Sequence, residues 1–423
     1  MKSYPIPCGK NTISLTIPDG IPVQWVESRK IASVPDVRRA IEEALDRPIG
    51  APRLRDLVRP GQSVALVVTD ISRKLPEEII LPLLLKELEA GGIRKKDISA
   101  VVATGTHRPN TPEELKEKFG EVVNEISFVN HDAWNPGNLV HLGTSKGRIP
   151  LVFNRTVADA DIRISTGVIE THLLAGYSGG VKSIAVGVAG ESTIGATHNY
   201  EMLQKTRLGI IEGNDFRRFL TEATQALGLH FIVNVVQTGK KDVVQVVAGD
   251  PIEAFNEGVK TAKKLYEVEI DQPGEIVISG VSYPKSRDLY QATRAANVVV
   301  FGPQPVVTKG GAILIPAPCE DGCGHPGYCA IMERAEDVED VIAISREEGF
   351  APGEQKALIL AYVLKQARIV MTDCTLPEET LREIHLESKP SLQDALDQEL
   401  ERNPHARVVL IPDGLLTLPI LKD

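Results

Sequence analysis

Along this chain, short runs of β-branched residues alternate with longer stretches in which apolar side chains return every three or four positions. SVALVVTD (63–70) and DISAVVATGTH (97–107) read as strands, and PEEIILPLLLKELEAGG (76–92) and TPEELKEKFG (111–120) read as helices. The first helix opens on proline and acids and stops at Gly91-Gly92, the punctuation a helix needs at its two ends. Strand–helix–strand alternation of this kind predicts a parallel or mostly parallel sheet. A second series begins after Asp271-Gln272-Pro273-Gly274. Its strands are expected at EIVISGV (275–281), ANVVVFG (296–302), GAILIPAP (311–318), ARIVMTD (367–373) and ARVVLIP (406–412), with a helix over KALILAYVLKQA (356–367). The expected fold class is therefore α/β, with two α/β domains of mostly parallel sheets and an active-site cleft between them. The Pro-Gly turn puts the boundary at 272, giving an N-terminal domain over 1–272 and a C-terminal domain over 273–423 that closes the cleft. The final segment is free to return to the first domain.

Size and charge narrow the partners. A chain of 423 residues, 42% of them apolar, exceeds what one hydrophobic core usually supports and has enough apolar content for two. The formal charge of -10, with no dense Lys/Arg run, argues against nucleic acid or anionic membrane and for a small molecule. The opening MKSYPIPCGKNTISLTIP lacks the apolar stretch of a signal peptide. The greasiest run, Ile79 to Leu85, is short and interrupted by Pro82, so a cytoplasmic location is expected. The 5 cysteines (Cys8, Cys319, Cys323, Cys329 and Cys374) are an odd number without a secretion signal, which predicts reduced thiols.

In open α/β sheets ligands gather beyond the carboxyl ends of strands, and three strand ends here carry chemistry. After SVALVVT come Asp70, Ser72 and Arg73; after AVVATGT comes His107; after ADIRISTGVIE comes His172. Any one of these could be a helix cap or a satisfied structural group, but two histidines at one cleft can serve as base and acid near neutral pH. His172 leads into AGYSGGVKSIAVGVAG, which ends near His198. This loop matches neither GxxxxGK[ST] nor GxGxxG. It reads either as a glycine-rich turn with a surface lysine or as a crowded loop in which Gly179 and Gly180 admit a close ligand and Lys182 becomes nucleophilic. Farther on, Gln291 and Arg294 share one face of a helix, and Arg294, like Arg73, offers a planar fork for a carboxylate or phosphate. CEDGCGHPGYC can be read as a zinc cluster of Cys319, Cys323, His325 and Cys329, which would make a zinc-dependent hydrolase with His107 and His172 the alternative. It lacks a CxxC knuckle and a second pair, so a glycine-rich loop carrying Glu320 and Asp321 is the preferred reading.

Together these residues resemble the nickel-dependent lactate racemase family. The matching pieces are Asp70-Ile-Ser-Arg73, Thr104-Gly-Thr-His107-Arg-Pro, the block from His172 through Lys182 to His198, and Tyr283-Pro-Lys with Leu289-Tyr-Gln-Ala-Thr-Arg294. The match runs in order over nearly the whole chain, and the His172/Lys182/His198 spacing is its most specific part. The resemblance implies a racemase or epimerase, an isomerase that inverts C2 of a 2-hydroxy acid by hydride transfer. The implied cofactor is a nickel-pincer nucleotide, pyridinium-3-thioamide-5-thiocarboxylic acid mononucleotide, linked covalently to Lys182. It assigns His198 to nickel, His107 and His172 to proton transfer, and Arg73 and Gln291 to the substrate. Asp70, Gly179, Gly180 and Arg294 are expected to contact the cofactor. Separate maturation proteins would make the cofactor, and an oligomer is left open. Lactate-acting relatives tend to carry a lysine where this chain has Arg294. Lactate, malate, longer or aromatic acids and sugar acids all therefore stand as substrates.

Overall fold

The computed structural model describes residues 1–351 and 353–422. They fall into two compact units. The central unit comprises Lys30–His198 and Ile211–Leu265; the terminal unit comprises Met1–Arg29, Asn199–Ile210 and the chain from Tyr266 onwards. This differs from a linear division at 272 in two places. Residues Met1–Arg29 and Asn199–Ile210 belong with the C-terminal sequence rather than with the segments that flank them.

Each unit is built on a six-stranded sheet. In chain order the strands are β1 (Val23–Trp25), β2 (Val64–Thr69), β3 (Ile98–Ala103), β4 (Ser127–Asn130), β5 (Ile162–Val168) and β6 (Phe231–Gln237). They continue with β7 (Val243–Gly249), β8 (Gly274–Ser279), β9 (Val307–Pro316), β10 (Arg368–Thr372), β11 (Glu387–Lys389) and β12 (Val408–Ile411). The central sheet has the order β7-β6-β5-β2-β3-β4 and is parallel except for the β6–β7 edge pair. The terminal sheet, β11-β10-β9-β8-β12-β1, is parallel throughout.

Strand β2, VALVVT, is buried at every position, which explains why it reads as a continuous apolar run rather than an alternating one. Helices α1 (Glu77–Ala90) and α2 (Pro112–Phe119) follow β2 and β3 as expected. Thr111 and Glu114 form a capping box at the start of α2, and Gly120, at φ 65°, ends it. One strand expectation fails. ANVVVFG holds a short helix, Asn297–Val300, which continues a 3-10 turn over Thr293–Ala296. Its valines are buried, and a short buried apolar run gives no period that separates helix from strand.

The first residues join the terminal unit for a packing reason. Lys2–Gly9 and Asn11–Ile17 form an antiparallel hairpin, and Cys8 and Gly9 pair in parallel with Val281 and Ser282. Ile6, Leu15 and Ile17 share a core with Ile276, Ile278, Leu314 and Val408. At the other end, Leu418–Leu421 pairs with Glu267–Ile270, so the final segment stays in the terminal unit.

Cys323 and Cys329 are joined as a disulfide. The expectation of reduced thiols fails for this pair because Gly322 and Gly324, at φ 79° and 83°, turn the loop so that Cys323 meets the helix carrying Cys329. Cys8, Cys319 and Cys374 are free. No cluster of three or more His, Cys, Asp or Glu side chains suited to a metal ion occurs among the described residues. The zinc alternative thereby loses its ligand set. No described helix is long and apolar enough to cross a membrane.

Candidate active site

The central sheet sets the site. β2 lies between β5 and β3, all three parallel, so Asp70, His107 and Glu170 leave neighbouring strands at the same edge. Asp70 is 5% exposed. The His107 Nδ1–H donates to Asp70 Oδ2 at 2.6 Å, while the ring itself is 63% exposed. A buried carboxylate thus orients an accessible imidazole through its Nδ1. Burial alone would raise the Asp70 carboxyl, but hydrogen bonds from His107 and from Ser72 Oγ, at 2.6 Å, outweigh it and hold the group below its ordinary value.

His172 is fixed the other way round. The Ala175 N–H donates to its Nδ1 at 3.2 Å, so the ring proton sits on Nε2.

The glycine loop can form only with glycine at two of its positions. Gly179, at φ 79°, would place a Cβ 2.7 Å from Asn234 Oδ1, and Gly180, at φ 55°, would place one 2.7 Å from the Phe255 ring. The Gly180 N–H donates to Asn234 Oδ1 at 2.6 Å, tying the loop to β6. Lys182 then opens α3 (Lys182–Ala185). Its amine is crowded by protein, and desolvation, reinforced by the charge of Arg73 and more weakly of Arg217, pushes it down to about 7. Lys182 is only partly exposed as a residue, and the lowered value gives its amine a far larger neutral share at physiological pH than an ordinary lysine has.

Helix α4 (Glu191–Thr197) delivers His198 at its C-terminal cap. The His198 Nδ1–H donates to Ile194 O at 3.0 Å, and the ring stands edge-on to Phe216 at 5.5 Å. Desolvation, with the nearby Lys182 charge acting in the same sense, pushes this imidazole down to about 4, so it is neutral at physiological pH with its Nε2 lone pair available. A backbone carbonyl on Nδ1 is a usual way for a metal-binding histidine to be oriented.

Several groups here have no signal in the linear pattern. Glu170, 9% exposed, pairs with Arg73 and lies 3.8 Å from Lys241 Nζ. Arg217, in helix α5 (Asp215–Leu227), lies beneath the loop; it stacks on Phe255 at 4.2 Å and donates to Tyr177 O at 2.6 Å. Glu170 was legible only as a neighbour of His172, and Arg217 only as a helical arginine. Gln291 and Arg294 belong to the terminal unit. Gln291 lies in helix α6 (Leu289–Ala292), which Asp288 caps, and the Arg294 Nη1–H donates to Gln291 Oε1 at 2.9 Å. The central unit thus gathers Asp70, Arg73, His107, Lys182 and His198, and the terminal unit holds Gln291 and Arg294 together.

The relatives define an isomerase of the racemase class. In particular, the chain belongs to the lactate racemase family: the lactate racemase N-terminal domain matches residues 8–210 and the C-terminal domain matches residues 268–418. It is 32% identical over 433 aligned positions to the lactate racemase of Thermoanaerobacterium thermosaccharolyticum, covering 98% of each chain. To the lactate racemase of Lactiplantibacillus plantarum it is 30% identical, covering 89% of this chain and 90% of that one. The structure of the T. thermosaccharolyticum lactate racemase apoprotein superposes with a TM-score of 0.90 at 30% identity over 100% of both chains. A Thermotoga maritima protein shares the fold, with a TM-score of 0.69 at 20% identity over 93% of this chain and 100% of that one.

Proposed function

We propose that this protein inverts the C2 stereocentre of a 2-hydroxy acid, with a nickel-pincer nucleotide carried on Lys182. The observation that carries the reading is the pairing of a lysine amine pushed down to about 7 with a neutral histidine whose Nδ1 is already engaged. A nucleophilic amine is what covalent attachment requires, and a free imidazole nitrogen is a sound nickel donor. The family uses a nickel cofactor. A group that brings most of its own metal donors needs only one ligand from the chain, and the donor set here fits it. Lys182 would hold the ring, His198 Nε2 the nickel, and the backbone at Gly179 and Gly180 would allow close approach. When bound, such a group supplies an acceptor that takes hydride from C2 and gives it back.

The C2–H of a hydroxy acid is too weakly acidic for simple deprotonation, so the chain's own task is to move the hydroxyl proton and hold the acid still. His107, with Asp70 behind it, takes the hydroxyl proton. Asp70 stabilises the imidazolium that forms. A proton is returned to the keto oxygen by His172 when that ring is imidazolium, which leaves it neutral. With the opposite enantiomer the two exchange roles. Arg73 holds the carboxylate of the acid and thereby removes part of the entropic barrier. Lactate is the substrate named for the relatives; the Arg294 fork in place of a lysine leaves other 2-hydroxy acids equally placed.

The test is optical. Protein co-expressed with cofactor-maturation proteins is offered a panel of single-enantiomer 2-hydroxy acids, and rotation is followed to equilibrium. Racemisation of at least one acid, lost in His107→Ala and His172→Ala, is expected. Undiminished turnover in the double variant would overturn the reading.

A further inference from the structure

The loop that carries Asp70 and Arg73 is held by side chains from three other elements. The Lys118 Nζ–H of α2 donates to Arg73 O at 2.6 Å, and the Gln237 Nε2–H at the end of β6 donates to Lys74 O at 2.5 Å. Glu77, the first residue of α1 and 0% exposed, accepts from Thr69 N at 2.9 Å, from Thr69 Oγ1 at 2.9 Å and from Thr166 Oγ1. Lys118 closes the network on Glu77 Oε2 at 2.9 Å, with its side chain only 9% exposed.

A buried ion pair of this kind is a poor source of net stability, because desolvation of both charges offsets their attraction. It does fix geometry. Glu77 uses both oxygens on four donors from three elements, and Lys118 spends another N–H on a carbonyl of the functional loop. Arg73 is thus gripped at both ends: Glu170 takes its guanidinium and Lys118 its carbonyl. Nothing about Lys118 in the sequence marks it, since KEKF reads as the solvated face of a helix.

We infer that Lys118 and Gln237 are positioning residues that aim Arg73 at the substrate carboxylate, a role that rests on the function proposed above. Neither touches the reacting atoms. Because a carboxylate clamp acts alike in ground and transition states, its loosening appears chiefly in KM.

The variants are Lys118→Met, Lys118→Arg as the conservative rescue, and Gln237→Leu, which leaves no buried charge unpaired should Lys118→Met fold poorly. On matured enzyme, Lys118→Met and Gln237→Leu are expected to raise KM about tenfold while kcat falls less than about threefold, with Lys118→Arg returning KM most of the way. On the cofactor-free chain, oxamate binding followed by calorimetry should weaken in parallel. In an Arg73→Ala background neither change should weaken it further, because residues acting through one another are not additive. Variants that lower Tm yet leave KM and oxamate affinity unchanged, or whose effects add to that of Arg73→Ala, would overturn the inference. If the matured enzyme racemises no 2-hydroxy acid, the function fails, while the oxamate cycle still decides the positioning role.

Discussion

At the scale of single residues, the proposed mechanism assigns proton transfer to two imidazoles, His107 and His172. His107→Ala removes the proposed base while leaving Lys182 untouched, so turnover by matured protein should fall by about 10²–10⁴-fold with the intact mass of the modified chain otherwise unchanged. Asp70 offers a pH test. Its folded pKa lies below the unfolded value, so the hydrogen bond from Ser72 contributes stability that is full above about pH 4 and is lost as pH falls through the folded pKa. Ser72→Ala should therefore cost about 1 kcal/mol near neutrality, and urea titrations should show that gap closing below about pH 4. The sequence displayed Asp70, Arg73, His107 and His172 because strand ends are recognisable and their residue types are chemical. It could not display Glu170, Lys118 or Gln237 as parts of the site, since each acts through a partner far away in sequence: Lys118 is 45 residues from Arg73, and Gln237 is 163 from Lys74.

At the scale of elements, the glycine loop is the part that tolerates least. Gly180→Ala pushes a methyl group into Phe255 and imposes a positive φ, and both disturb the segment that presents Lys182. A loss of about 2–4 kcal/mol, read by urea melts, and reduced modification of Lys182, read by peptide mass, are expected. Gly213, with φ 70° and open space around it, is the control: Gly213→Ala should cost about 1 kcal/mol and leave modification intact. Strands such as β2 and β9 were legible from their apolar runs, and α1 and α2 from their caps. ANVVVFG was not, because three buried valines satisfy a helix turn as readily as a strand. The disulfide was hidden for a related reason: two turn glycines, rather than cysteine spacing, bring Cys323 to Cys329.

At the scale of the whole molecule, sequence order and spatial order part company. The chain passes into the terminal unit at Tyr266, and hairpin residues such as Ile6 and Leu15 bury themselves in a core assembled from the far end of the chain. A chain cut after residue 272 should therefore expose that hairpin, bind a hydrophobic dye and aggregate, whereas removal of residues 1–29 from such a fragment should relieve both effects. Light scattering distinguishes the outcomes. The discontinuity has no local cause and so leaves no local signal in sequence. The proposal places covalent attachment on an amine with a lowered pKa, near a neutral imidazole. The most direct test is peptide mass spectrometry of protein co-expressed with the maturation machinery. A peptide containing Lys182 that carries the mass of the nucleotide, absent in Lys182→Ala, is the predicted result; a fully matured, catalytically active sample with an unmodified Lys182 would contradict it.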